Sequence, residues 1–381
     1  MTRHTTQSDR MHKTILITGG AGFVGSHLAD DLLAHGYRVR VLDNLTEQVH
    51  GKRARFPDYL SSEVECLRGD VRDRDDVRRA LDGVDAVYHF ASAVGVGQSM
   101  VQIERYTDVN NIGTAVLLEA LLEQPVTRLV VASSMSIYGE GLYQTADGRA
   151  CAPRERSTAQ LKQSQWELAD NGSALTPVAT PETKVALPAS VYALSKYDQE
   201  RMALIFGRAY DLPVVGLRFF NIYGPRQALS NPYTGVLAIF SARYLNDEPP
   251  LIFEDGCQQR DFVHVRDVAR ACRLALETPR AAAQVFNIGS GHAYSIVDIA
   301  RRLAVTLGKS GIHAEITGRY RNGDIRHCFA DIASASAVLG YTPEITLEAG
   351  LEELVEWLRT QNTHRDSHAR RSQTAAHGLS A

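Results

Sequence analysis

The sequence predicts an α/β protein: a doubly wound parallel sheet followed by a smaller C-terminal α/β lobe. Three observations point there. Short β-branched runs alternate with segments of helical periodicity, as parallel strands covered on both faces by helices require. The first such run, TILIT at residues 14–18, leads straight into a Gly-rich turn and a helix. After about Gly224 the runs shorten and Pro/Gly turns interrupt them, as in NPYTG at 231–235 and DEPPLIFEDG at 247–256.

The elements follow in order. TILIT is a strand, SHLADDLLAHG (26–36) a helix and RVRVLDN (38–44) a second strand, which together make a β-α-β unit. AVYHFA (86–91), a helix around 107–123, RLVVASS (128–134), a helix from about 191 to 210 and PVVGLRFFN (213–221) continue the alternation. Helices near 265–276 and 294–307 belong to the lobe. The chain divides into polar, disordered tails at 1–12 and 361–381, a domain over 13–224 and, over 225–360, predominantly the second lobe. Residues 140–188 are polar, rich in Pro and Thr, and form a long insertion in the first domain. Loops of that length are usually functional or disordered. The insertion is expected to cover a ligand as a lid, with Trp166 anchoring it or touching the ligand.

Composition excludes several classes. The 381 residues carry 41 Lys and Arg against 44 Asp and Glu, a net charge of −3, so no basic excess exists to track nucleic acid. Apolar residues at 44% and charged residues at 22% suit a globular chain rather than a disordered or fibrous one. No apolar run approaches the roughly 18 residues of a membrane span. The polar start, MTRHTTQSDRMHK, lacks the apolar stretch of a signal peptide, which predicts a cytoplasmic protein. Five scattered cysteines, without a C-x-x-C pair, predict neither a disulfide framework nor a metal site.

Gly19, Gly22 and Gly25 stand three apart where the first strand meets its helix. Backbone amides and the positive helix end can there approach a pyrophosphate, although the triplet alone also fits a plain turn. Asp43, eighteen residues past Gly25, ends the next strand, where a carboxylate accepts hydrogen bonds from ribose hydroxyls and repels a 2′-phosphate. The predicted cofactor is therefore NAD rather than NADP, unless Asp43 is only a strand-end turn former. Asp70, in RGDVRD, sits at the end of the third strand beside the adenine or serves a turn.

Tyr192 and Lys196 lie four apart and share one helix face. A nearby ammonium lowers a tyrosine pKa from about 10, making Tyr192 a general base, and Lys196 can also hold the nicotinamide ribose. Such a pair also arises by chance in helices. Ser133, Ser134 and Ser136 crowd the carboxyl end of a strand, where ligands bind in open α/β sheets and where serines also cap turns.

The set TGGAGFVG, LDN, GDVRD, HFASA, NNIGT, SSMSIYG, YALSK, RFFNIYGPRQ, RDFVHVRD and RNGDIRH, in order from about residue 13 to 358, resembles the extended short-chain dehydrogenase/reductase superfamily. The nearest branch is the nucleotide-sugar epimerases and dehydratases. The resemblance implies a Rossmann-type sheet with a substrate-binding lobe, a tightly held NAD, a nucleotide-diphosphate sugar as substrate, and a homodimer. It implies NAD contacts from Gly19, Gly22, Phe23, Val24, Asp43, Asn44, Asp70, Val71, Phe90, Ala91, Ala93, Tyr192 and Lys196. Asn110 matches the asparagine that supports the active-site helix and is counted with them. Ser134, Tyr192 and Lys196 match the catalytic trio. Ser134, Ser136, Tyr192, Asn221, Gly235, Val236, Arg260, Arg321 and Asp324 match substrate contacts, the arginines suiting a diphosphate through their planar forks.

In that family Tyr192 would take the C4 hydroxyl proton as hydride leaves C4, giving a 4-keto sugar that turns and regains hydride on its other face. Related 4,6-dehydratases carry Thr-Asp-Glu where this chain reads Ser134-Met135-Ser136, so no carboxylic acid stands ready to expel water. A 4-epimerase is therefore expected, with a 4,6-dehydratase or 4-ketoreductase less so. The insertion, PVATPETK and GDIRH most resemble a bacterial subgroup of dTDP-L-rhamnose 4-epimerases, with UDP-glucose 4-epimerase as the alternative. Some members of that subgroup carry cysteine pairs in the insertion. Here only Cys151 stands there, so no metal is expected.

Overall fold

Alternate residues of the first strand go to opposite faces of one sheet. In the computed structural model of the protein, residues 13–52, 55–153, 155–227, 235–321 and 323–362 are described. Ile15 and Ile17 of β1 (Thr14–Thr18) join one core while Leu16 joins another. The next elements are α1 (Phe23–Ala34), β2 (Arg38–Asp43), β3 (Glu65–Arg68), α2 (Arg74–Leu81) and β4 (Ala86–His89). They are followed by α3 (Gly113–Glu123), β5 (Arg128–Ser134), α4 (Val191–Ala209), β6 (Val214–Phe219), α5 (Val265–Glu277) and β7 (Gln284–Ile288). The seven strands lie in the order β7-β6-β5-β4-β1-β2-β3, and all pairs are parallel.

This is the doubly wound α/β sheet that the alternation predicts. Leu28 and Leu32 of α1 and Val268 and Cys272 of α5 cover one face, and Val77 of α2, Leu117 of α3 and Leu204 of α4 cover the other. Each fully buried aliphatic side chain contributes about 1.5–3 kcal/mol relative to exposure, so the strand runs hold both layers in register. The chain winds outward from β1 to β3, returns to β4 and winds the other way. Such a reversal leaves a crevice at the carboxyl ends of β1 and β4.

The second lobe has its own core, where the helices Val236–Leu245, Ile296–Thr306 and Leu347–Asn362 pack around Phe240, Leu303, Leu351 and Leu354. The chain beyond residue 224 does not stay in that lobe. β7 completes the main sheet and α5 packs against α1, so the two bodies interleave in sequence rather than follow one another. The tail expected at 1–12 lies outside the described residues. So does the one expected at 361–381, except that the last helix runs through Asn362. Among the described residues no helix is long and apolar enough to cross a membrane.

The insertion is folded. Strands Leu142–Gln144, Ala150–Cys151 and Thr176–Val178 form a small antiparallel sheet over Tyr143, Leu168 and Leu175. Its polar side chains are used in a buried ionic junction with the lobe. Arg156 reaches Glu254 at 2.9 Å; Arg326 pairs with Glu254 at 2.9 Å, Asp255 at 2.7 Å, and Glu167; Glu140 accepts from the amides of Arg326 (2.7 Å) and His327 (3.2 Å). Trp166 packs against Tyr320, an anchor rather than a ligand cover.

Candidate active site

The crevice opens into a cavity of about 660 Å³, within the about 300–1,000 Å³ of ligand pockets. Its floor is the glycine turn. Gly19 has φ +69°, and a Cβ there would sit 2.8 Å from the Cα of Ala91 beyond β4. At Gly25 a Cβ would sit 2.6 Å from Gly20 Cα. Only glycine lets the turn close this tightly. Gly22 is the N-cap of α1 and offers no side-chain cap, so the first-turn amides of Phe23, Val24 and Gly25 are presented to the cavity with the helix dipole behind them.

Asp43 lines the same wall and accepts from Ala21 N (3.1 Å) and Leu45 N (2.9 Å), with His50 Nε2 at 3.7 Å. Burial pushes its carboxyl up, against the pull of those amides and of His50. Among the described lining residues it is the single carboxylate. Such a wall fits a dinucleotide: glycine contacts for a pyrophosphate, an anchored acceptor for ribose, and at Asp43 a carboxylate that would repel a 2′-phosphate.

At the opposite end β5 delivers Ser133 and Ser134, and α4 delivers Tyr192 and Lys196. Ser190 caps α4 by accepting from Ala193 N, which sets the phase of the helix. Ser134 Oγ accepts from Ser136 N (3.2 Å) and Ser136 Oγ (2.9 Å), so its own hydrogen is directed to Tyr192. The Tyr192 ring stands edge-on to Tyr106, with centroids 6.3 Å apart. Burial raises the Tyr192 pKa, and the Ser134 hydrogen bond opposes the rise. The expected lowering by Lys196 is not found; Lys196 Nζ donates to Gln199 Oε1 at 2.7 Å. Burial drops Lys196 itself to about 7, with Glu200 opposing.

The cavity brings together Gly19, Gly22, Phe23, Val24, Asp43, Asn44, Val71, Phe90, Ala91, Ala93, Ser134, Tyr192, Lys196, Asn221, Gly235 and Val236. It does not collect six others. Asp70 is held by Arg72 (2.7 Å) and Asn44 (2.9 Å), which take it to about 2. Asn110, in a π-helical turn over Thr107–Ile112, lies behind the wall and clamps Ala93 N (2.7 Å) and Ala93 O (3.1 Å) to Ser195 Oγ (2.8 Å). Ser136 points at Ser134 rather than into the cavity, and Met135 beside it packs with Ile137, Tyr138 and Phe220. Arg260 donates to the carbonyls of Gln259, Ile325 and Arg326. Arg321 stacks 4.6 Å over Phe253. Asp324 faces a small cleft with Glu140 and Arg156, and burial raises its carboxyl against the pull of Arg260 and Arg321.

No lining residue among those described comes from 140–188, so the insertion, expected as a lid, does not border this cavity. Its charges are tied to the lobe instead. Sequence reading missed Arg72, Arg105, Gln48, His50 and Gln227, which line the cavity. Arg72 was within reach, two residues beyond Asp70 in RGDVRD; the others carry no spacing signal. Ser133 Oγ, Asn221 Oδ1 and Gln227 Oε1 are buried polar atoms of lining residues without a protein partner, which a polar ligand would satisfy.

The family model described as "NAD dependent epimerase/dehydratase family" matches residues 15–159 and 170–289. The chain is 37% identical over 350 residues to a dTDP-L-rhamnose 4-epimerase of Burkholderia thailandensis, covering 91% of this chain and 95% of that one. Among solved structures it is similar to UDP-glucose 4-epimerase of Thermotoga maritima with UDP-glucose (TM-score 0.75, 32% identity, 92% and 99% covered). It is also similar to the Thermus thermophilus UDP-glucose 4-epimerase complex with NAD (TM-score 0.72, 31% identity, 91% and 99% covered).

Proposed function

The chain belongs to the NAD dependent epimerase/dehydratase family as an NAD-dependent nucleotide-sugar epimerase, and we propose that it is a dTDP-L-rhamnose 4-epimerase. The observation that carries the sugar is the 37% identity to an enzyme of that name over nearly the whole of both chains. UDP-glucose is the second reading, favoured by the solved structures.

When bound, NAD supplies the acceptor for hydride from C4 of the sugar and the donor for its return. The chain's own groups do the proton work. Tyr192 takes the C4 hydroxyl proton and gives it back; Ser134, its acceptor positions filled by Ser136, donates to the tyrosine oxygen and steadies its charge. Lys196 adds positive charge and N–H donors beside it. Gly19, Gly22, the first turn of α1 and Asp43 would hold the cofactor, and Asn221, Gln227, Gly235 and Val236 the nucleotide sugar. Asp43 lies at the glycine end, so among the described lining residues no carboxylic acid stands by Ser134 to eliminate water, which supports epimerisation over dehydration.

The partner is a second copy. Ile112 at the N-cap of α3 and Leu194 and Ile205 of α4, about half exposed, leave apolar surface on two paired helices. Sedimentation equilibrium should give a dimer that Leu194→Arg weakens; a monomeric parent contradicts it. The sugar is tested by proton NMR of the purified protein with dTDP-L-rhamnose and, separately, UDP-glucose, without added cofactor. A new anomeric signal from the first donor alone is expected, and one from UDP-glucose alone overturns the choice.

A further inference from the structure

Lys196 is held by a neutral side chain whose orientation is set from behind. Lys196 Nζ donates to Gln199 Oε1 at 2.7 Å, and both residues are buried. Gln199 Nε2 donates to Thr114 Oγ1 at 2.8 Å, and the Thr114 hydroxyl donates to the Asn110 carbonyl at 2.6 Å. His89 Nε2 lies 2.9 Å from Thr114 Oγ1, and His89 Nδ1 lies 2.9 Å from Thr18 Oγ1.

The polarity of this chain follows from its ends. Thr18 Oγ1 accepts from the amides of Phe90 and Ala91 (3.2 Å each), so its hydrogen goes to His89 Nδ1; Thr114 gives its hydrogen to the Asn110 carbonyl and accepts at Oγ1 from Gln199 and from His89 Nε2, which also lies 3.3 Å from Gln199 Nε2. The proton of His89 therefore sits on Nε2, and Nδ1 accepts from Thr18. Burial holds His89 down at about 3, which keeps it neutral and this direction fixed. With its amide nitrogen committed to Thr114, Gln199 must present Oε1 to Lys196.

We infer that Gln199 is a positioning residue for Lys196: its carbonyl, aimed by Thr114 and His89, fixes one ammonium N–H and favours the charged lysine. The other two N–H groups are left for Tyr192 and a cofactor hydroxyl. This rests on the Tyr192–Lys196 chemistry proposed above. Among the described residues the charged or titratable groups bearing on Lys196 are Glu200, whose carboxylate is bound bidentately by Arg218 (2.9 and 2.7 Å), and His89 from β4, with Tyr192 one turn back. Glu200 is thus occupied, and Gln199 supplies the direct acceptor. A carbonyl bond to a cation stabilises the charged form, so its removal lowers the lysine pKa.

The test compares the NAD-loaded parent with Gln199→Leu and Gln199→Glu. One arm measures kcat and KM for dTDP-L-rhamnose against pH. The other follows Lys196 acetylation by acetic anhydride against pH, read by peptide mass spectrometry, and needs no sugar. Gln199→Leu should lower kcat about tenfold or more with KM within about threefold, and move the Lys196 labelling midpoint down. Gln199→Glu, a carboxylate beside the ammonium, should move the midpoint up by about one pH unit or more and carry the alkaline limb of kcat with it. Coincident midpoints in parent and variants, or parental kcat in Gln199→Leu at every pH, overturn the inference. If Gln199→Leu does not fold, a Gln199→Glu midpoint equal to the parent's overturns it alone. Absence of turnover in the parent counts against the sugar reading, while the labelling arm still decides the role of Gln199.

Discussion

Two regions of the molecule handle polarity in opposite ways. The main cavity has one carboxylate among its described lining residues, and Ser133, Asn221 and Gln227 keep buried polar atoms without partners. The junction between the insertion and the lobe is denser in charge, yet its arginines are satisfied: Arg326 is fully buried and bound by Glu167, Glu254 and Asp255, and Arg156 by Glu254. Unmet hydrogen-bonding capacity marks where a ligand is to come, whereas completed ion pairs mark architecture. Arg260 belongs by this criterion with the second region, since backbone carbonyls already occupy it.

Paired variants should separate the regions. The largest effect is expected at Tyr192→Phe, which should cut kcat at least about a thousandfold while NAD stays bound and urea stability changes by less than about 1 kcal/mol. Loss of stability instead would place Tyr192 with the architectural groups. Arg326→Met should do the reverse. It takes one of two cations from buried Glu254 and leaves the partly exposed Glu167 and Asp255 without Arg326, a cost of about 1–3 kcal/mol in urea unfolding, with activity per folded molecule retained. A change below about 1 kcal/mol would break the comparison.

The smallest effect lies at Glu167. Its hydrogen bond from His327, then Arg326, lowers it from 4.5 to about 2. A carboxylate depressed in the folded state adds stability that is complete above about 4.5 and is lost as pH falls toward about 2. Because Glu167 is half exposed, solvent screening keeps this below about 1 kcal/mol. Melting curves between pH 5 and 3 should fall less steeply for Glu167→Gln than for the parent; equal slopes contradict the pairing.

The cofactor end was legible because its constraints are local. Gly19, Gly22, Gly25 and Asp43 lie within one β-α-β unit, and Tyr192 and Lys196 within one helix turn, so spacing carries their geometry. The junction was not legible. Glu140, Arg156, Glu167, Glu254 and Arg326 come from segments up to 186 residues apart, as the Arg326 to Glu140 bond spans, and no periodicity links them. The insertion therefore read as a loose polar lid, although its charges are consumed in pairing. The bond from Lys196 to Gln199 escaped for a related reason: spacing put Tyr192 and Lys196 on one face, but Gln199, Thr114 and His89 are brought to the ammonium by other contacts.

The central claim is that the protein inverts a sugar carbon by internal hydride transfer. The most direct test is incubation of dTDP-L-rhamnose deuterated at C4 with the purified protein in ordinary water, with no cofactor added. The account predicts a C4 epimer that keeps its deuterium at C4. An epimer that has exchanged it for solvent hydrogen, or turnover that appears only with added nicotinamide cofactor, would contradict it.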